Sequence, residues 1–523
     1  MRRTRSPAAA FVLLLTAAAG LVAARPGAAG AASSFTFYGA GWGHGVGMGQ
    51  YGIYGLAQEG WKYRGMLVYY YEGTSTALVS SPANIRVGLV QDQGSTKLDA
   101  TNGSVVLRLN DPDTGTLVAT IPKGQTWTIE FHADGKFWVK RQTGTYVGGK
   151  GWGGTTSDLY ANYADQNTIV SVPDTGHEYK RGYFEFNVYT SGGVYRGRLI
   201  AVVPTNAYVY GIAEVPASWP MEALKAQATA ARTYAVHMAL TAGQNRPVCN
   251  CAVYASGQDQ TYIGYDEESG FDGSRWVQAS DDSSWRVVEY GGAVISANYS
   301  SSTGGYTESN SAAFGGTQVP YLTAECDPGD YTSINPNRTW QTTLTGAQIG
   351  DDIASYTGTD IGDATSFLNT SRSSSGRIVT TTVVGTTRSI TLSGTTLQAA
   401  LGLKSTRFYS NVNMNVTGDI RTKYDDLTCS PGLATSPQTA IGSGLKQEFA
   451  DGAIYWSSAT GAYEVHGLIQ QEYDAVGEAT GALGFPTSDV VSANGTDTST
   501  FQNGSIACPT SGGTVEDCQV TYT

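Results

Sequence analysis

The chain reads as a mixed α+β, β-rich protein, and three observations carry that reading. From about 83 to 212, short alternating runs such as NIRVGLVQ, TWTIEFHA and RGYFEFNV are separated by Asn102-Gly103, Asp134-Gly135 and Gly192-Gly193, the pattern of antiparallel meanders. Residues 221–239 interrupt that alternation with a run rich in Ala, Leu, Met, Gln, Lys and Arg, all strong helix formers. The 66 glycines and 32 tyrosines, set against only 15% charged residues, suit turn glycines and rings half-buried on sheets. The expected architecture is a central helix packed on antiparallel sheets, followed by a small C-terminal β-rich repeat module.

Residues 1–32 have the layout of a secretory signal. Arg2, Arg3 and Arg5 precede the apolar stretch Ala8 to Ala24, and Ala29-Gly30-Ala31 supplies a small-residue cleavage site. No later stretch is long and apolar enough to span a bilayer, so no membrane span is expected after cleavage. Cleavage removes four arginines and no acids, taking the net charge of −12 to −16. That acidic balance argues against a nucleic-acid partner. The remaining length exceeds one core and calls for two or three domains. In an exported chain the six cysteines favour disulfides. Cys508 and Cys518, ten apart, are expected to pair, whereas connectivity among Cys249, Cys251, Cys326 and Cys429 stays open.

Residues 35–75 read as a strand (FTFYG), a glycine-rich loop, a helix around 49–59 and a segment ending in YYYEGT. The β-rich stretch follows, with 90–175 as a possible insert. In the helix that starts near 219, Ser218 is placed as N-cap and Pro220 is tolerated in the first turn. Gln227, Ala231, Tyr234 and Met238 recur at helical spacing and mark an inward face. Further strands are expected at 286–299 and 340–408, with a short helix at TLQAALGLKS. Residues 411–439 are polar and weakly patterned and read as a linker. In 440–523, Phe449-Ala-Asp-Gly-Ala-Ile is echoed by Phe501-Gln-Asn-Gly-Ser-Ile, 52 residues on.

Within YVYGIAEVPASWPMEALKAQATAARTYAV (208–236), Glu214 lies between Ile212-Ala213 and Val215-Pro216. A carboxyl in such an apolar setting has its pKa raised by desolvation and becomes a candidate proton donor. The alternative is a structural Glu stabilised beside a helix N-terminus, which would lower the pKa instead.

This stretch resembles the central motif of the SpoIID/LytB family, whose sporulation members are lytic transglycosylases of peptidoglycan. The resemblance implies that Glu214 is the catalytic acid, then the base. One carboxylate suffices, because the muramic acid's own hydroxyl closes onto the anomeric carbon. Gln227 and Arg232, in the same motif, become substrate-binding candidates, with holding the helix against the sheet as their alternative. Gln260-Thr-Tyr262 matches the family's Gln-x-Tyr element, making Gln260 and Tyr262 candidates too. The run Asn298-Tyr-Ser300-Ser301-Ser-Thr-Gly-Gly-Tyr-Thr307-Glu308 resembles its hydroxyl- and glycine-rich turn, and adds Ser300, Ser301 and Thr307.

Gly41-Trp-Gly-His44-Gly-Val-Gly-Met-Gly-Gln50 has five glycines in nine residues, a backbone that turns tightly or is approached closely. It matches the signature that usually closes the family's domain, yet here it opens the mature chain. Residues 33–410 are therefore expected to be a circularly permuted domain, with Phe408 beside Phe35. His44, as a neutral hydrogen-bonding group, and Gln50 are expected to share a groove with Glu214. Sporulation members bind zinc through one His and two Cys. Here Cys251 matches the first Cys, Asp259 stands where the second is expected, and no His precedes Cys251 at the required place. No metal and no cofactor is expected, and a disulfide is expected for at least one of Cys249 and Cys251.

Gly481-Ala-Leu-Gly-Phe-Pro-Thr resembles LGFP repeats, which implies that 440–523 engages a cell-wall polymer through aromatics such as Tyr455, Trp456 and Phe485. The reading that results is a secreted, cell-wall-associated lytic transglycosylase acting on peptidoglycan glycan strands. Its rivals are a non-catalytic enhancer of a cell-wall amidase and a surface binding module.

Overall fold

The computed structural model describes residues 34–523. The expected signal peptide, 1–32, lies outside the described residues. The protein is mixed α+β and β-rich, 36% strand against 23% helix.

The central helix, Met221–Thr241, is buried along most of its circumference rather than on one stripe. Its many alanines let neighbours approach closely: helices Gln50–Gln58, Tyr63–Tyr70 and Gly273–Asp282 and strand Arg286–Tyr290 all pack on it. Gln227 and Ala231 of the expected inward face are fully buried, and Tyr234 and Met238 are partly so. Ser218 makes no capping bond. The N-cap is Pro220, and the helix opens one residue beyond it.

Beside the helix stand two sheets, antiparallel throughout except for the edge strand Val253–Tyr254, which pairs parallel with Asn84–Gln93. The seven-stranded sheet runs Val253–Tyr254, Asn84–Gln93, Val194–Pro204, Tyr183–Ser191, Leu159–Tyr163, Val105–Leu109, Thr116–Ile121. The five-stranded sheet runs His177–Tyr179, Ile169–Val172, Ser95–Asn102, Thr126–Phe131, Phe137–Lys140. Strands of the stretch 90–175 complete sheets whose other members lie outside it. Leu98, Leu107, Ile129 and Leu159 share one core with Leu224 and Ala228 of the central helix. The stretch is thus fused with the rest of the domain.

Strand Ser34–Gly39 sits between Trp340–Thr345 and Phe408–Ser410. The register places Phe408 opposite Gly39, four residues from the expected Phe35, and its ring meets Phe37 edge-on at 5.4 Å. All three phenylalanines share a core with Ile349, Ile353 and Leu397. The beginning of the described chain is thereby closed against residue 408.

Residues 411–439 are not a free linker, which corrects the sequence expectation. Helix Gly418–Asp426 and loop 432–436 form the first of two repeats, and helix Gly467–Ala475 with loop 484–488 forms the second. Tyr424 donates its hydroxyl to the Gly432 carbonyl at 2.8 Å, as Tyr473 does to Gly484 at 2.7 Å. The Ala450 and Gln502 N–H groups donate to Leu433 and Phe485, and Ala434 and Pro486 bridge Phe449 and Phe501. Helices recur after 49 residues and loops after 52, so the second repeat carries three extra residues between them. Tyr455 and Phe485 are core residues, so neither ring is open for the wall-binding role expected of it, while Trp456 is half-buried. The first repeat is bonded to the larger domain by Cys326–Cys429 and buries Ile420, Tyr424 and Phe449 at that junction. Cys508–Cys518 pairs within the second repeat, and Cys249 pairs with Cys251. Among the described residues no helix is long and apolar enough to cross a membrane.

Candidate active site

Glu214 lies seven residues before the central helix, in the irregular, turning segment after the short helix Thr205–Tyr210. Its Oε1 accepts the Thr261 N–H at 2.6 Å, and its backbone carbonyl accepts Gln50 Nε2 at 3.3 Å. Burial raises its pKa above the ordinary carboxylate value, against the pull of the hydrogen bonds from Thr261 and Gln50. No helix terminus is among these contacts, so the expected alternative of a dipole-stabilised anion has no geometric basis here.

Glu214 lines a cavity of about 570 Å³ together with Trp42, His44, Gln50, Thr261, Ser300 and Ser301. The glycine-rich loop reaches it because side chains would block the path. A Cβ on Gly45 (φ +78) would meet the Arg377 guanidinium at 2.3 Å, and one on Gly47 (φ +71) the Asn298 carbonyl oxygen at 2.2 Å. His44 Nδ1 accepts the Val46 N–H at 2.9 Å, and its ring meets Phe314 edge-on at 5.2 Å. Burial, then the nearby Arg377 charge, lowers its pKa to about 4, so it is a neutral imidazole at neutral pH. Trp42 is 54% exposed and Phe314 57%, two open rings on the cavity wall. Ser300 Oγ is buried with no hydrogen-bond partner among the described residues, an unpaired polar atom at the cavity wall.

The structure thus brings Glu214, His44, Gln50, Ser300 and Ser301 to one cavity and takes five expected contacts out of its lining. Gln227 is fully buried in the core face of the central helix. Arg232 is buried too. Its Nη1 donates to the Ser283 and Arg286 carbonyls and its Nη2 to Ser280, tying the central helix to the open end of Gly273–Asp282. Gln260 holds elements together: it accepts the Tyr208 hydroxyl at 2.8 Å and donates to the Ala231 carbonyl and to Tyr299. Tyr262 stacks on Tyr208, ring centres 5.2 Å apart. Thr307 is bonded to the Thr323 carbonyl and the Glu325 N–H. These residues build the site without touching its space.

Sequence reasoning missed Thr261, Trp42 and Phe314, and named Asp259 only as the replacement of a cysteine and not as part of this wall. Thr261 was legible in principle. It is the middle residue of Gln260-Thr-Tyr262, and in extended chain alternate residues face opposite ways.

The residues at the position where relatives would hold zinc do not fit that ion. Cys251 is bonded to Cys249. Asp259 Oδ2 takes Arg246 Nη2 at 2.5 Å and the Tyr254 N–H at 2.8 Å, and Oδ1 takes the Tyr234 hydroxyl at 2.7 Å. His237 Nδ1 is bonded to the Val294 carbonyl at 2.8 Å. A thiolate is missing and the carboxylate is spent on a cation already in place.

Two segments of the chain match known families. Residues 196–290 match the SpoIID family, described as stage II sporulation protein, and residues 432–481 match the LGFP repeat. The chain therefore carries a SpoIID-family segment, with Glu214 inside it, and an LGFP repeat. It is 37% identical over 136 residues to an amidase enhancer of Bacillus subtilis (strain 168), covering 26% of this chain and 16% of the relative. It is 34% identical over 170 residues to an uncharacterized protein of Brachyspira hyodysenteriae, covering 31% and 42%. Over 217 residues it is 28% identical to stage II sporulation protein D of Bacillus amyloliquefaciens, covering 39% and 60%. The chain spans from about a sixth to three fifths of the length of these relatives.

Proposed function

We propose that the protein is an exported peptidoglycan lytic transglycosylase, held at the cell wall by its LGFP repeats, whose large domain is a circularly permuted SpoIID unit. The observation that carries the reading is Glu214, a single carboxyl raised by burial at the wall of a cavity with two open aromatic rings. Glu214 gives its proton to the bridging oxygen between MurNAc and GlcNAc as the C1–O bond breaks. The C6 hydroxyl of the same MurNAc then attacks C1, and its proton passes to the Glu214 carboxylate. The products are a strand ending in 1,6-anhydro-MurNAc and one with a free 4-hydroxyl, and the acid is restored. His44, Gln50, Ser300 and Ser301 offer hydrogen bonds to sugar hydroxyls and acetamido groups.

Glu214→Gln is isosteric and carries no acidic proton. It is expected to keep the fold and lower the rate by about 10²–10⁴. Mass spectrometry of digested peptidoglycan, searched for anhydro-muramyl ends, checks this; equal yield from the folded variant would remove Glu214 as the acid.

A second reading has its own support in the relative named amidase enhancer. In it, the same cavity holds glycan without cutting, and a partner amidase is stimulated. Release of stem peptides that depends on an added amidase and survives Glu214→Gln would select that reading.

A further inference from the structure

Glu214 lines a second concavity as well. This one, about 470 Å³, is formed by residues 213–218 with Glu267 and Phe271, and Glu214 is the one lining residue it has in common with the cavity of His44 and Trp42. A third, of about 260 Å³, shares Gly43 and His44 with the first and continues toward Ile378 and Thr406. The three concavities therefore adjoin one another along shared lining residues, and Glu214 stands between the first and the second rather than beyond either.

The walls of the second concavity suit sugar. Phe271 is 90% exposed at the turn between helices Tyr265–Ser269 and Gly273–Asp282. An apolar ring left this open buries nothing in the fold, and an aromatic face matches the apolar C–H face of a pyranose. Asp272, in the left-handed conformation at φ 60°, fixes the turn. The Glu267 carboxyl makes no hydrogen bond or ion pair among the described residues, and burial alone pushes it up to about 7. It is therefore free to exchange hydrogen bonds with hydroxyl or acetamido groups.

We propose that the concavity walled by Glu267 and Phe271 is a second sugar-binding arm, so that a glycan strand crosses Glu214 with rings bound on both sides and is cut internally. This rests on the reading of Glu214 as a glycan-cleaving acid.

The test uses the full chain and glycan strands freed of stem peptides, fractionated to eight sugars. Binding is measured on Glu214→Gln with and without Phe271→Ala, and early products of the unmodified protein are sized. Phe271→Ala is expected to weaken binding about three- to tenfold, the worth of one stacked ring, and the first products are expected to be mid-length fragments. Unchanged binding, or disaccharides alone among the first products, overturns the arm. Anhydro ends with Phe271-independent binding would sink the arm and leave the Glu214 reading standing. Phe271-dependent binding without any cleavage would do the reverse.

Discussion

At the scale of single residues, Glu214 and His44 on the wall of the main cavity are tuned in opposite directions by the same cause. Burial raises Glu214 and lowers His44 to about 4, in each case favouring the neutral form. A general acid must start protonated, so activity is expected to fall as pH rises through the elevated Glu214 value, above the ordinary Glu value of about 4.3. His44 is already neutral across that range and contributes no limb there. His44→Gln should therefore raise KM for glycan strands and leave the basic limb of kcat/KM in place. A basic limb that moves with His44→Gln would reassign the proton chemistry to the imidazole.

At the scale of elements, the floor of the site is held by a buried polar network. Asp330 accepts the Ser302 hydroxyl and the N–H groups of Thr303 and Gly304, fixing the turn that follows Ser300 and Ser301. Asp327 accepts the hydroxyls of Tyr70, at 2.6 Å, and Thr303, at 2.8 Å. Burial first, then the Asp330 charge, pushes Asp327 up to about 8. Its folded value exceeds the unfolded value of about 3.9, so its stabilisation is full below about pH 4 and is lost as pH rises through about 8. Urea unfolding should show wild type weakening between pH 5 and 8, and Asp327→Asn should flatten that slope. An identical slope in both proteins would place the proton elsewhere.

Elements also show what the sequence made legible. The central helix, the meanders and Glu214 follow from periodicity and an apolar setting, which are local signals. Gln227, Arg232, Gln260, Tyr262 and Thr307 were read as binding groups because polar type is visible in a sequence while burial depth is a property of packing. The leading half of the first repeat, inside the expected linker, escaped notice because Gly432-Leu-Ala-Thr stands where the second has Gly484-Phe-Pro-Thr. The echo survives in hydrogen bonds more than in letters.

At the scale of the whole molecule, the repeats and the large domain form one packed body at the Cys326–Cys429 junction. A truncation meant to isolate the large domain must respect that. Ending the chain at 435 leaves Tyr424 without Phe449, on which its ring stacks at 5.0 Å, and is expected to give aggregated protein. Ending it at Asn415 with Cys326→Ser should give a soluble domain that still cleaves free strands but sediments poorly with intact walls. Equal sedimentation of full and shortened chains would remove the repeats from wall binding.

The Cys326–Cys429 bond also changes what a protease can accomplish. It closes a loop of chain that contains helix Gly346–Thr357, the sheet Ala364–Ser393 and strand Phe408–Ser410. A single cut anywhere inside that loop severs the backbone but leaves the two halves covalently joined, so a nick there does not shed the repeats. Limited proteolysis between 326 and 429 should give one band without reductant and two with it. A molecule cut inside that loop stays in one piece.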